Sequence, residues 1–229
     1  MPAFVYYKRI WHSGLPRAAG TIEGMLIGFD IETDTSQTEP GGARSGLDPR
    51  YSRVISAAAW ADNGHEYFAR SSEALLLGDI AQYMGDVGKE DGTLLTWNGA
   101  NFDLPFLVSR AWENSVKLGL VWQVSSNRPA KYRHCPGFDG GLVARWGELD
   151  HVDVSYAYRE YAEAQGLEWR LKPVAKSFGL EPVEVDSTAT SDLSPAELEV
   201  YNLSDVRITH GLGSRIDLDL WRDSLELAG

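Results

Sequence analysis

Cysteine is almost missing: Cys135 is the single one in 229 residues. No disulfide can form within the chain, a cysteine-built zinc site is disfavoured, and a reducing, cytoplasmic compartment is compatible with the composition. No apolar run approaches the ~18 residues of a membrane span, so no membrane partner is expected. The opening MPAFVYYKRIWHSG has no apolar segment followed by a small-residue cleavage site, and no secretory signal is expected. Positive charge is scarce as well. With 21 Lys and Arg against 33 Asp and Glu, the formal net charge is -12, which argues against holding nucleic acid on a broad basic surface. The GKE at Gly88, Lys89 and Glu90 lacks the upstream glycine and the hydroxyl residue of a phosphate loop, no GxSxG nucleophile elbow occurs, and five histidines are too scattered for a zinc signature.

What is present alternates between strand and helix signals, without internal repeats or low-complexity tracts. Residues 1–23 read as an N-terminal extension with one short strand candidate, VYYKRIW. The first clear strand covers residues 25–31, and a Gly-, Pro- and Ser-rich loop follows it. VISAAAWAD and HEYFARS, joined through Asn63 and Gly64, predict a hairpin in which Asn-Gly supplies the positive φ angles of a tight turn. SEALLLGDIAQYM predicts a helix capped by Ser71 or Ser72, TLLTWN a short buried strand, and LPFLVSRAWENSVKLG a second helix with Pro105 near its first turn. Residues 123–149 form a locally basic excursion. HVDVSYAY then reads as a strand, LEWRLKPVAKSFGL as helical, and Ser194, Pro195 and Glu197 as the capped start of a last helix ending near Gly211 and Gly213.

Three separated pieces carry the chemistry. In MLIGFDIETD, Asp30 and Glu32 flank one isoleucine, and the period of two in a strand puts both carboxylates on one face, about 7 Å apart along the chain. That is electrostatically poor unless a cation lies between them. In NGANFDLPFL, Asp103 falls where a buried strand gives way to a helix. In YNLSD, Tyr201 and Asp205 stand at i and i+4 and share one face of the capped helix. Each piece alone has a plain structural explanation, as solvated loop, helix cap or half-buried core. The order, context and spacing of all three together form a specific signal.

On these residues the chain resembles the DEDD superfamily of 3′-5′ exonucleases in its tyrosine subclass, close to the proofreading domain of family B DNA polymerases and its stand-alone relatives. DIE matches the first motif, NGANFDLPFL the second and YNLSD the third, while HVDV and LKPVAKSFGL also look like the stand-alone relatives. Val200 stands where the histidine subclass carries its base. The resemblance covers approximately residues 25–215. It implies an α/β ribonuclease H-like fold, a mixed sheet flanked by helices, with the whole chain as one exonuclease domain and 24–216 as its core.

The resemblance further implies two divalent ions, Mg²⁺ or Mn²⁺, held by Asp30, Glu32, Asp103 and Asp205. Hard ions take oxygen ligands, which suits a set of carboxylates. Tyr201 is expected to orient the attacking water or the scissile phosphate, since a tyrosine with a pKa of ~10 stays protonated at neutral pH. Asn98 matches the asparagine that contacts the substrate end; Asn101 and Phe102 are weaker candidates, with core packing the plainer role for Phe102. Asp153 and His151 are expected to support the site from behind. Arg128, Lys131, Arg133 and Arg145 are candidates for phosphate contacts, with Arg44, Arg50 and Arg53 as a second set. Eight tryptophans offer stacking platforms, although most are expected in the core. The expected substrate is the 3′ end of single-stranded nucleic acid, DNA in preference to RNA. An exoribonuclease and a catalytically silent binding or scaffolding domain on the same fold are the alternatives, and a proofreading role would be exercised in trans with a replication or repair partner.

Overall fold

The computed structural model describes residues 24–36, 46–90, 92–124, 142–146, 149–185 and 190–218. Strand β1, Leu26–Thr33, runs through the acidic pair, beyond the apolar stretch that announces it. It is flanked by β2, Val54–Ala61, in antiparallel register and by β4, Thr93–Thr96, in parallel register. Outside these lie β3, Gly64–Phe68, and β7, Asp150–Asp153, so the main sheet has the order β3-β2-β1-β4-β7. Strands β5, Leu120–Val124, and β6, Leu142–Trp146, form a separate two-stranded ribbon. The expected mixed sheet is therefore present.

Period two divides β1 cleanly. Ile27, Phe29 and Ile31 enter a core with α1, Glu73–Gly88, and α2, Asp103–Glu113. Gly28, Asp30 and Glu32 occupy the opposite face, where they pair across β2 with Trp60, Ala58 and Ser56. That second face is covered by α6, Pro195–Gly213. A further core, built on Leu95, Val152, Tyr158 and Leu212, joins it to α3, Val154–Ala157, α4, Arg159–Ala164, and α5, Leu171–Ser177.

Several local expectations change. The hairpin forms, with Ala61 opposite Gly64, but Asn63 keeps a negative φ and only Gly64, at φ 153°, needs glycine. Ser72 takes the cap position of α1 without a side-chain bond. The carboxylate of Glu73 is engaged instead with the Val54 amide, Arg110 and Asn114. The strand predicted through Tyr158 stops at Asp153, whose carboxylate accepts the Ser155 amide and turns the chain into α3. Helix α2 stops at Glu113, followed by Ser115 at φ 56°, and α5 is shorter than its predicted stretch. Helix α4 and the β5–β6 ribbon carried no sequence-level prediction. The last helix meets its expectation in full: Ser194 and Glu197 close a reciprocal capping box with Pro195 at the first position.

A Cβ at Gly28 would lie 2.3 Å from the carbonyl oxygen of Val206 and 3.1 Å from Cβ of His210, so glycine sets how closely α6 approaches β1. Gly28→Ala must push the helix outward or distort the strand, and is expected to destabilise the protein by about 1–3 kcal/mol. Urea unfolding would register this as a lower midpoint at unchanged slope. Native stability in the variant would mean that the helix yields without cost.

Candidate active site

Asp30 and Glu32 emerge from β1 toward α6, with Glu32 only 9% exposed. Pairing between β1 and β4 ends at Gly28 opposite Leu95, and three residues on, the Ile31 amide donates at 3.2 Å to Oδ1 of Asp103. The acid of the second motif is thereby docked on the residue separating the acids of the first. Asp103 is the first residue of α2 and buried, at the end of a turn in which the Asn101 and Phe102 amides both donate to the Asn98 carbonyl. Asn98 sits at φ 64°, a conformation asparagine tolerates better than most residues. Fully buried Asp153 fastens this turn by accepting the Asn98 amide at 2.8 Å and the Ala100 amide at 3.1 Å.

Tyr201 and Asp205 are both buried on the inner face of α6. Beside them stands a residue that the sequence reading passed over. Lys172, near the start of α5, places Nζ 3.5 Å from Oδ1 of Asp205 and 4.0 Å from the centre of the Tyr201 ring, an ion pair and a cation–π contact together. Asn202 was missed as well: its amide nitrogen donates to Oδ2 of Asp30 at 3.0 Å.

The electrostatics are those of a crowded acidic pocket. Burial first, then repulsion from Asp103, Glu32 and Asp205, holds the Asp30 carboxyl well above its ordinary range. Glu32 is raised in the same way, by burial and then by Asp205 and Asp103. Asp103 is pushed up to about 7, mainly by burial, with the Ile31 amide opposing and Asp153 adding to the rise. Asp205 reaches about 6, burial outweighing the attraction of Lys172. Tyr201 is displaced upward by burial and by Asp205, Glu32 and Asp30, so its hydroxyl keeps its proton at neutral pH.

Four mutually repelling carboxylates with hard oxygen donors fit divalent cations, and buried Oδ1 of Asp205 faces the Lys172 ammonium only at 3.5 Å. As the side chains stand, no three His, Cys, Asp or Glu among the described residues are gathered closely enough to hold an ion. Among the described residues the counter-charge is the Lys172 ammonium.

The remaining candidates divide. Asn98 is exposed, and Asn101 donates to the Asn98 side chain at 2.8 Å and to the Tyr156 hydroxyl at 3.0 Å, which places both on the turn leading to Asp103. Phe102 packs partly into the core against Phe106. His151 is buried and bonded to Thr96. Arg50 and Arg53 are drawn into ion pairs with Asp48 and Asp34. Arg44, Arg128, Lys131 and Arg133 lie outside the described residues; of Arg145 only the backbone, on β6, is described.

Residues 55–184 match the model of a family described as predicted 3′-5′ exonuclease related to the exonuclease domain of PolB. The matched stretch includes Asn98, Asp103 and Lys172. The chain is 27% identical over 212 residues to a DNA polymerase of Thermococcus litoralis and to one of Thermococcus aggregans. It uses 87% of its own length in each match but spans only 12% and 11% of those polymerases. The structure of the family B DNA polymerase from the hyperthermophilic archaeon Pyrobaculum calidifontis superposes with a TM-score of 0.57 at 21% identity, over 82% of this chain and 24% of that one. The fold is the α/β ribonuclease H-like one.

Carboxyls raised by folding bind protons more tightly in the folded state, so their contribution is complete below the unfolded pKa of about 4 and is lost as pH rises through about 6 and 7. In the presence of a chelator, the thermal midpoint is expected to fall between about pH 5 and pH 8. Asp103→Asn, which keeps an oxygen for the Ile31 amide, should flatten that fall. An equal slope in native and variant protein would show that Asp103 does not titrate with folding.

Proposed function

The chain belongs to the family of predicted 3′-5′ exonucleases related to the exonuclease domain of PolB, and from that premise we propose that it hydrolyses phosphodiester bonds at the 3′ end of single-stranded nucleic acid, DNA in preference to RNA. The observation carrying this reading is the meeting of Asp30, Glu32, Asp103, Asp205 and Tyr201 from β1, α2 and α6, close enough for the acids to raise one another. Asp30, Glu32, Asp103 and Asp205 would hold the divalent ions, Mg²⁺ or Mn²⁺. When bound, Mg²⁺ or Mn²⁺ ions supply an activated water and a counter-charge for the leaving oxygen.

The chain's own groups do the positioning. Tyr201, protonated at neutral pH, offers a hydrogen to the attacking water or to a phosphate oxygen, so it orients and does not act as a base. Lys172, paired with Asp205 and lying over Tyr201, holds both in place and keeps a positive charge beside the phosphate. Exposed Asn98, on the turn fixed by Asp153, presents its amide to the terminal nucleotide, with Asn101 behind it. Phe102, half-buried, gives that turn an apolar edge. Arg128, Lys131, Arg133 and Arg145 are the proposed phosphate contacts farther along the strand, and a replication or repair protein is the fitting partner in trans.

A time course on 5′-labelled single-stranded DNA and its RNA counterpart, with Mg²⁺ or Mn²⁺, tests the proposal. The native protein should give a ladder shortening from the 3′ end, faster on DNA. Asp30→Ala should abolish it, and Tyr201→Phe should slow it about a hundredfold while the protein still takes up Mn²⁺. Preference for RNA would reassign the substrate. Uncleaved DNA and RNA would leave a silent binding domain as the reading.

A further inference from the structure

Asn202 is completely buried between Tyr201 and Asp205, where packing alone would favour an apolar side chain. Its two polar ends are both used. The amide nitrogen donates to Oδ2 of Asp30 at 3.0 Å, and Oδ1 accepts the hydroxyl of Ser56 at 3.3 Å. Ser56 is itself fully buried on β2, opposite Glu32 and under α6.

The relay has a definite polarity. A hydroxyl has one hydrogen to give, and Ser56 gives it to Oδ1 of Asn202. The carbonyl end of Asn202 is thus occupied, and its NH₂ end is left facing Asp30. A flipped amide would set a carbonyl oxygen against a carboxylate. An amide NH₂ keeps its hydrogens at every working pH, so this donor to Asp30 is always present.

We infer that Asn202, locked in one orientation by Ser56, is a positioning residue that fixes the carboxylate plane of Asp30 and keeps it ready to ligate a divalent ion. The inference rests on the exonuclease reading, since Asp30 is one of its ligands. Partners of this kind behind a metal ligand commonly contribute about 10–100-fold in affinity or activity.

The test is Mn²⁺ binding by calorimetry in native protein, Asn202→Leu, Ser56→Ala, Ser56→Thr and the double variant Ser56→Ala/Asn202→Leu, with thermal midpoints and steady-state kinetics alongside. Asn202→Leu should weaken Mn²⁺ binding about 10–100-fold and lower kcat with little change in KM for the oligonucleotide. Ser56→Ala should move the same quantities less, Ser56→Thr should restore them, and the double variant should be no worse than Asn202→Leu alone. If Asn202→Leu does not fold, Ser56→Ala against Ser56→Thr decides. Native-like Mn²⁺ affinity in a folded Asn202→Leu, or in Ser56→Ala where only that pair is available, overturns the inference while leaving the exonuclease reading intact. A native protein that takes up no Mn²⁺ overturns both.

Discussion

The contact on which the molecule depends is the seating of α6 against β1 at Gly28. Any side chain there would meet the backbone of Val206, so the helix lies as close to the strand as polypeptide allows. The same face of β1 presents Asp30 and Glu32 two and four residues later. A helix held at that distance brings Tyr201, Asn202 and Asp205 within reach of those acids. Small residues extend the lane, with Ser56 and Ala58 on β2 and, at the far end of the helix, Gly213, where a Cβ would come 2.5 Å from Leu95. The chemistry of the pocket is thus fixed by backbone proximity before any polar contact is made.

The inner face of α6 departs from the usual apolar stripe of a packed helix. Tyr201, Asn202, Ser204, Asp205, Thr209 and His210 are all buried on it. Burying so many polar groups is unfavourable unless they are partnered, and the cost is visible in the elevated carboxyls. The favourable contributions lie elsewhere, in the two apolar layers on either side of the sheet and in the part-buried Glu73–Arg110 pair that ties α1 to α2. The pocket is a locally destabilised region carried by a well-packed frame, as is common for functional sites.

How much of this was legible follows from the range of each interaction. The hairpin, α6 with its capping box and the three acidic motifs rest on local patterns, and all are present as elements. The strand was read on through Tyr158 because its alternation continues through VSYAY, whereas the Asp153 carboxylate ends it by capping the next turn. Ser72 looked like a cap because serine precedes a helix, but tertiary contacts of Glu73 decided that end. Lys172 lies 33 positions before Asp205, and Asn202 lies 172 after Asp30. No periodicity or spacing rule connects residues so far apart. A weak signal did exist for Asn202: an amide on the inner side of a helix, between two members of a motif, needs a partner.

The charge balance leads to one last step. An acidic chain that acts on a polyanion must obtain its attraction locally, and of the arginines in the early loop, Arg50 and Arg53 are already engaged with Asp48 and Asp34. Within the pocket the described positive charge is Lys172, shared between Asp205 and Tyr201. Without further cations the site repels a phosphate. On the proposed function, divalent ions would reverse its sign, so the group that completes the chemistry would also make the pocket attractive to its substrate. Metal and nucleic acid would then favour each other's binding, and such coupling is reciprocal by thermodynamic necessity. A carboxylate fixed in advance by Asn202 would lower the cost of the first of those two events, and through the coupling favour the second.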